Sequence, residues 1–281
     1  MTKNDINLLK NLCLITNRKL HYNLLKILKQ KYNYKKIINT HQYIIAQGSM
    51  PVCLIAHLDT VFEETQRKKE IYFDSENNIM WSPQGLGTDD RAGVFAILKI
   101  LDKGYRPHII FTQDEELGCL GARALVHRFS KRPWKKLKYI LELDRRGEKD
   151  CVFYNCANQE FEEYIESFGF ETDLGSFSDI SEIAPVWGVA AANLSVGYID
   201  EHSYSERCNV EHLNNTITKV TNMLEKIKES PNFKYIEREG KPYNYFYNMN
   251  NQDLCILCGG PIEENAEYAC VCKKCSDPWR S

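Results

Sequence analysis

A chain of 281 residues, 43% of them hydrophobic and 26% charged, has the composition of an ordinary globular protein and can bury a sizeable core. Its formal net charge of −2 gives no overall field that would attract nucleic acid, which argues against a nucleic-acid partner for the main domain but is compatible with local basic patches. No apolar run approaches the roughly 20 residues that span a bilayer, and the N-terminus lacks the pattern of a signal peptide. We therefore predict a cytoplasmic protein without a membrane partner.

Helices and strands are predicted to alternate along most of the chain. The expected elements are, in order, two helices within residues 5–32, a strand at 51–59, a strand pair at 69–74 and 77–82, a helix at 90–103, a strand at 107–113, a helix at 121–130, strands at 136–144 and 151–156, a helix at 159–169, a strand at 190–198 and a helix from about 210 to 230. This alternation predicts a three-layer α/β/α domain over residues 1–230, with a mixed, mostly parallel sheet.

Five polar clusters fall where predicted strands end, each after an apolar strand. They are His57 with Asp59, Asp89 with Asp90, Glu115 with Glu116, Asp144, and His202. Because ligands bind beyond the carboxyl ends of parallel strands, we expect these side chains to meet at one edge of the sheet. Carboxylates gathered there would repel one another unless cations neutralise them. Imidazole and carboxylate ligands without thiolate favour zinc, with manganese or cobalt as alternatives, and their number is sufficient for two ions that share a carboxylate.

The order HxD, GxDDxxG, EExGxxGA, Asp and a late His resembles the co-catalytic dizinc exopeptidases, a clan that includes aminopeptidases, peptidase T, glutamate carboxypeptidases and related deacylases. The resemblance covers residues 50–225 and implies the zinc-exopeptidase fold, with a small peptide or related amide as the substrate. Many carboxypeptidase-type relatives insert a lid domain before the last histidine. Because only 57 residues lie between Asp144 and His202, we predict that this chain has no lid domain and lies nearer the compact aminopeptidase branch.

The resemblance implies that five side chains bind the two zinc ions: His57 and Asp144 the first, Glu116 and His202 the second, and Asp89 both. Asp89 is preferred to Asp90 because the bridging residue of the family precedes a basic or small residue by two positions, which here is Arg91. His212 competes with His202 for the last ligand position. It falls within the predicted terminal helix, so we interpret it as a surface residue.

The same resemblance implies that Glu115 is the general base and that Asp59 orients the His57 ring. A water that bridges two zinc ions loses its proton far more readily than bulk water. Glu115 would take that proton and deliver it to the leaving amine.

Three further residues are candidates for substrate binding. Asp179 resembles the acid of a Ser–Asp pair that lies near the substrate in the family. Arg145 and Arg146 have no counterpart in the family, and we hypothesise that one of them binds a substrate carboxylate as a bidentate fork. The competing interpretation of the two arginines is a solvated surface pair.

Five of the eleven cysteines lie close together near the C-terminus. Cys255 with Cys258 and Cys272 with Cys275 form two CxxC pairs whose spacing is typical of a zinc ribbon, so we predict one structural zinc ion. Cys270 is an alternative to Cys272. Residues 231–254 are interpreted as a linker and residues 255–281 as a zinc-binding module whose partner the sequence does not identify. The other six cysteines have no disulfide-framework spacing, in agreement with a reducing compartment.

Three functions are compatible with these patterns. The leading one is a zinc-dependent, aminopeptidase-like exopeptidase. An amidohydrolase or deacylase of N-acyl amino acids, or of other amide conjugates, would use the same scaffold and metals. A binding or adaptor protein that acts through its cysteine module belongs to a different class, and the intact set of metal ligands argues against it.

Overall fold

Seven helices and twelve strands form residues 1–62 and 69–239, the part of the chain that the computed structural model describes. The helices are α1 (Lys3–Leu14), α2 (Asn17–Gln30), α3 (Thr88–Asp102), α4 (Leu120–Arg128), α5 (Gln159–Glu166), α6 (Asp179–Trp187) and α7 (Val210–Glu225). The strands are β1 (Ile37–Asn39), β2 (Tyr43–Ala46), β3 (Val52–His57), β4 (Tyr72–Asp74), β5 (Ile79–Trp81), β6 (His108–Thr112), β7 (Tyr139–Arg145), β8 (Asp150–Val152), β9 (Glu171–Thr172), β10 (Ala191–Ser195), β11 (Tyr198–Ile199) and β12 (Arg207–Asn209).

Polar side chains cap several helices and set where they begin. Thr2 and Asp5 form a reciprocal capping box at the start of α1. The side chain of Asn158 accepts a hydrogen bond from the backbone of α5, and that of Asn209 accepts two from the first turn of α7. These bonds satisfy backbone N–H groups that have no partner within the helix.

Eight strands form the central sheet, in the order β1-β2-β6-β3-β7-β10-β8-β9. The neighbours β6, β3, β7 and β10 run parallel, so their carboxyl ends lie along one edge. His57 at the end of β3 pairs in register with Thr112 at the end of β6. Every residue of β3 is buried, as expected for a strand covered on both faces.

Helices cover both faces of this sheet. On one face, α1, α2, α3, α5 and α7 contribute to an apolar core that includes Leu24, Phe95 and Leu213. On the other face, α4 and α6 pack in a second core that includes Leu125 and Ile183. The predicted three-layer α/β/α fold with a mixed, mostly parallel sheet is confirmed, and no lid domain is inserted between Asp144 and His202.

A smaller sheet of four strands, in the order β11-β12-β5-β4, carries two of the polar clusters. Asp89 follows β5, and His202 lies between β11 and β12. The sequence pattern suggested that all five clusters follow strands of one sheet. Only the clusters of His57, Glu115 and Asp144 come from ends of the central sheet, whereas the other two reach the same place from the smaller sheet.

Other elements also differ from the predictions. Strands β1 and β2 were not predicted; they form an antiparallel edge that joins the central sheet at β6. Helix α6 was not predicted either, since Pro185 lies inside it. Helix α7 ends at Glu225, five residues earlier than expected.

Residues 231–239, the first part of the predicted linker, lie against the main domain. Phe233 is buried in the larger apolar core, and Lys234 and Glu237 form isolated bridges with Val189 and Cys156. Among the helices of residues 1–62 and 69–239, none is both long and apolar enough to cross a membrane. The predicted cysteine module lies outside the described residues.

Candidate active site

Asp89 lies between two histidine rings at the carboxyl edge of the central sheet. Its Oδ1 atom is 3.0 Å from Nε2 of His57, and its Oδ2 atom is 3.1 Å from Nε2 of His202. His57 is the last residue of β3, whereas His202 comes from the connection between β11 and β12. One carboxylate therefore joins the central sheet to the loop of the smaller sheet.

Asp144 and Glu116 complete two groups around this shared carboxylate. Oδ1 of Asp144, near the end of β7, is 3.4 Å from Nε2 of His57. Oε2 of Glu116, in the connection after β6, is 2.9 Å from Nε2 of His202. The structure thus brings all five predicted ligands together, two on each side of Asp89.

This donor set fits a pair of divalent cations. Ligand atoms about 2.0 Å from a tetrahedral zinc ion are about 3.3 Å apart. The four nitrogen–oxygen distances around Asp89 run from 2.9 to 3.4 Å. His57, Asp89 and Glu116 offer ligand atoms that all lie within 4.8 Å of one another. Oε1 of Glu116 is buried without a hydrogen-bond partner among the described residues, as expected of an atom that faces a cation.

Buried carboxylates give this edge an excess of negative charge. Burial raises the pKa of Asp144 to about 7 and raises the pKa of Glu115 well above its usual range. Burial also opposes ionisation of Asp89, but hydrogen bonds with His202 and His57 hold the pKa of Asp89 well below its ordinary value. The hydrogen bond with Asp89 raises the pKa of His202 to about 11. Cations would neutralise this charge in place of protons.

Asp59 connects the His57 ring to the loop that carries the two glutamates. Its Oδ1 atom is 3.4 Å from Nδ1 of His57, the ring nitrogen that faces away from Asp89. The same carboxylate accepts hydrogen bonds from the backbone N–H groups of Glu115 (3.2 Å) and Glu116 (3.1 Å). Such contacts orient metal-binding rings and loops. The position therefore agrees with an orienting role for Asp59.

Asp90 has a different environment from its neighbour Asp89. Its Oδ2 atom accepts a hydrogen bond from the backbone N–H of His57 (3.2 Å), and its Oδ1 atom accepts one from Gly93 (2.8 Å). Asp89 and Asp90 have non-helical backbone angles, so the regular part of α3 begins after them. Asp90 ties the helix start to the end of β3, while the Asp89 side chain points to the histidines.

Glu115 is buried beside the two groups and contacts neither His57 nor His202 at hydrogen-bond distance. Its described partner is the thiol of Cys119, which donates a weak hydrogen bond over 3.7 Å. The residue as a whole is buried, with 7% of its surface exposed. Burial outweighs the charge interaction with His57 and raises the pKa of the Glu115 carboxylate, which favours its taking up a proton, as a general base must.

The three predicted substrate residues make their direct contacts with residues other than the five predicted ligands. Nη2 of Arg145 is 2.6 Å from Asp173, and Nη1 of Arg146 is 3.2 Å from Glu201. Asp179, at the start of α6, is fully buried and accepts a hydrogen bond from the hydroxyl of Thr112 at the end of β6. A role in substrate binding stays a prediction for all three.

Residues that the sequence analysis did not select also surround the cluster. The hydroxyl of Tyr198 donates to Oδ1 of Asp144 (3.0 Å), and the Asn193 side chain pairs with the backbone of Asp144 through both its oxygen and its nitrogen. Glu206 accepts hydrogen bonds from Thr88 next to Asp89. Glu206 follows His202 by four residues in HSYSE, which was an available signal. No comparable signal in the sequence points to Tyr198 or Asn193, because polar residues at strand ends are common.

Cys255, Cys258, Cys272 and Cys275, together with the alternative ligand Cys270, lie outside the described residues.

The fold and the paired imidazole–carboxylate groups define a metal-dependent hydrolase. Residues 41–173 match the model of peptidase family M28, and this segment contains His57, Asp89, Glu116 and Asp144. This match and the donor set of the site identify a metallopeptidase, which confirms the predicted class of enzyme. A comparison with curated protein sequences gives no significant match.

Solved structures share the fold at low sequence identity. A tripeptidase from Staphylococcus aureus is 14% identical, with a TM-score of 0.61 and coverage of 80% of this chain and 98% of the other. Aminopeptidase PepT from Bacillus cereus is 15% identical, with a TM-score of 0.59 and the same coverage. A TET aminopeptidase from a marine sediment archaeon of the Thaumarchaeota is 12% identical, with a TM-score of 0.60 and coverage of 81% and 99%. These similarities confirm the zinc-exopeptidase type of fold.

Proposed function

We propose that this chain is an aminopeptidase-like exopeptidase that hydrolyses the peptide bond next to a free α-amino group, with two zinc ions at its active site. The observation that carries the proposal is the Asp89 carboxylate, which contacts both His57 and His202. His57 and Asp144 would hold one ion, and Glu116 and His202 the other. The aminopeptidases and the tripeptidase among the structural neighbours support this choice of substrate.

The residues of this chain divide the chemistry among them. When bound, the two cations would polarise the scissile carbonyl and make the attacking water more acidic. Glu115 accepts the proton of that water as the carbon–oxygen bond forms, and it then donates the proton to the nitrogen of the leaving amine as the carbon–nitrogen bond breaks. Asp59 keeps the His57 ring and the Glu115 loop in their relative positions throughout.

Charge at the site favours a free amino terminus over a free carboxyl terminus. The two cations would neutralise the ligand carboxylates of Asp89, Glu116 and Asp144, which leaves the buried acids Asp59 and Glu115 to attract a protonated α-amino group. The guanidinium groups of Arg145 and Arg146, which a deacylase could use to hold a substrate carboxylate, are both in ion pairs.

The decisive experiment compares Glu115→Gln with the matched variant Glu116→Gln. Both remove one carboxylate charge from adjacent positions of the same loop. Glu115→Gln should keep about two zinc ions in the active site by metal analysis while turnover falls by about three orders of magnitude or more. Glu116→Gln should lose zinc as well as activity. Full activity in Glu115→Gln would remove Glu115 from the role of base.

A substrate panel separates the peptidase from its closest alternative. Aminoacyl-p-nitroanilides and short peptides should be cleaved, and blocking their α-amino group by acetylation should abolish cleavage. If N-acyl amino acids were cleaved and free peptides were not, the enzyme would be a deacylase on the same scaffold. A chelator should abolish either activity, and added zinc should restore it.

We also propose that residues 255–281 form a zinc-binding module, joined to the metallohydrolase domain by residues up to 254. The support is the CxxC spacing of Cys255 with Cys258 and of Cys272 with Cys275. The full chain should then contain about three zinc ions. A Cys255→Ser, Cys258→Ser double variant should lose one ion and keep peptidase activity.

The cytoplasmic location remains a proposal that the cysteines support. Six cysteines among the described residues are free and buried, and none forms a disulfide. Free thiols are typical of reducing compartments. Fractionation of the native host should place the protein with cytosolic markers.

A further inference from the structure

The near-neutral net charge conceals a strong asymmetry along the chain. Residues 1–58 contain nine lysines and arginines and a single acid, Asp5, for a formal charge of +8. The remaining residues have a formal charge of −10. Asp5 forms an ion pair with Lys99 of α3 at 2.6 Å, so it does not neutralise the other cations of this segment. The N-terminal part of the fold is therefore a concentrated source of positive charge.

Helix α2 is amphipathic, with an apolar side and a basic side. Leu20, Leu24 and Leu28 are buried in the core. Arg18, Lys19, Lys26 and Lys29 are exposed and, at about 100° per residue, fall within an arc of about 100° on the opposite side. The stripe from Arg18 to Lys29 is about 16 Å long. Helix α2 contains no acidic residue.

Two more exposed lysines follow α2 in the sequence. Lys35 and Lys36 are exposed immediately before β1, the edge strand of the sheet. We define the basic face as these six exposed cations: Arg18, Lys19, Lys26, Lys29, Lys35 and Lys36. None of their side chains forms an ion pair or a hydrogen bond with another described residue. By contrast, Lys31 in the same segment is paired with Asp102 at 2.5 Å.

We propose that the basic face binds the sugar-phosphate backbone of nucleic acid, a function separate from peptide hydrolysis. Nucleic acid presents about one negative charge per 1.7 Å of duplex axis, so a stripe of this length can contact several phosphates at once. Exposed amides of Asn23 and Gln30 lie on the same helix and can donate hydrogen bonds to phosphate oxygens. Tyr22, 66% exposed within the stripe, offers a ring against a sugar or an unpaired base.

An anionic membrane surface fits these observations less well. A helix that binds a membrane inserts its apolar side among the lipids. The apolar side of α2 is already buried in the protein core, and Tyr22 is the one large hydrophobic residue exposed on this helix. What α2 offers a partner is charge and hydrogen-bond donors.

The test uses the full chain and two variants with equal loss of charge. The first is Arg18→Gln, Lys19→Gln, Lys26→Gln, Lys29→Gln. The matched control is Lys131→Gln, Arg132→Gln, Lys135→Gln, Lys136→Gln, whose exposed side chains flank Trp134 in the core on the other face of the sheet. Fluorescence anisotropy with short labelled RNA and duplex DNA, at about 50 to 200 mM KCl, gives the affinity and its salt dependence.

The wild type and the control should bind both nucleic acids with an affinity that falls steeply with salt. The α2 variant should bind at least about tenfold more weakly, and the slope of log affinity against log salt should fall by about 3, because each lost phosphate contact removes 0.7 to 0.9. All three proteins should melt at the same temperature. Absence of binding by the wild type, or equal losses in both variants, would overturn the proposal. Retention on vesicles with about 30% anionic phospholipid, without nucleic-acid binding, would overturn it in favour of a membrane.

Discussion

Glu206 accepts hydrogen bonds from both the backbone N–H (2.5 Å) and the hydroxyl (2.7 Å) of Thr88. Thr88 immediately precedes Asp89, the carboxylate shared by the two groups of the site. Glu206 itself follows His202 by four residues, and it lies 3.4 Å from the backbone nitrogen of Asp89. The contact therefore fixes the loop of Asp89 against the loop of His202.

Glu206 is accordingly expected to act as a positioning residue. Glu206→Ala would leave the buried N–H of Thr88 without its partner, at a cost of about 1–3 kcal/mol, and would release Asp89. We expect zinc affinity and kcat/KM to fall by about 10- to 100-fold. Glu206→Gln retains an accepting oxygen and should restore both. Zinc affinity is measured by competition with a chromogenic chelator. A Glu206→Ala protein with a lower melting temperature but unchanged zinc affinity would show that the contact is structural alone.

Removing the charge of Asp59 should weaken the site without removing a ligand. Asp59→Asn can accept only one of the two backbone hydrogen bonds from Glu115 and Glu116, and it loses the carboxylate that faces the His57 ring. Zinc affinity should fall by about 10- to 100-fold. Asp114→Asn is the control, because it removes an acid from the same loop that makes no described contact with His57. Equal effects of the two variants would mean that general charge, and not the orientation of the ring, explains the loss.

Substitutions of the two adjacent acids at the start of α3 should have different effects, one on zinc binding and the other on stability. Asp89→Asn removes the shared carboxylate, so zinc content should drop and activity should fall by about three orders of magnitude or more. Asp90→Asn can accept from His57 or from Gly93 but not from both, so it should cost about 1–3 kcal/mol of stability. Denaturant unfolding and metal analysis on the same samples separate the two results. If Asp90→Asn lost zinc and Asp89→Asn kept it, the assignment would be reversed.

The parts of the site that the sequence predicts are those at the ends of buried parallel strands. His57 and Asp144 end long apolar runs, and Glu115 and Glu116 follow another, so hydrophobic pattern alone places them at one edge. Asp89 and His202 were found through the order of the motifs, because strand periodicity does not show that a second sheet returns them to this edge.

Other features depend on tertiary contacts that a single sequence does not display. The strands β1 and β2 are three and four residues long, too short for a reliable period, and pairing with β6 stabilises them. Helix α6 contains Pro185, which normally argues against a helix. Glu142 stands out as an acid within the apolar run of β7, but only the structure shows that the Ser178 hydroxyl donates to it.

Histidine 108 provides a test of stability that is independent of the metal site. Its ring stacks on Trp134 with a centroid distance of 3.9 Å, and its Nδ1 atom accepts a hydrogen bond from the backbone N–H of Gly48 (3.1 Å). Burial lowers the pKa of His108 from 6.5 to about 4. Above pH 6.5 the residue is neutral in both the folded and the unfolded chain, so its titration does not change the free energy of unfolding. As the pH falls from 6.5 towards 4, the unfolded chain gains a proton that the folded chain excludes, and stability is lost.

This loss should be at most about 3 kcal/mol by pH 4, and it should be absent from His108→Asn. Asn can still accept from Gly48 but does not titrate. The measurement is the free energy of unfolding in urea at several pH values between 4 and 7, with chelator present, so that other acids titrate equally in both proteins. His127→Asn, at an exposed position of α4, is the matched control. In the wild type, His108 takes up a proton only when the chain unfolds. The free energy of unfolding of the wild type must therefore fall more steeply on acidification than that of His108→Asn. Parallel curves would mean that His108 takes up its proton in the folded state.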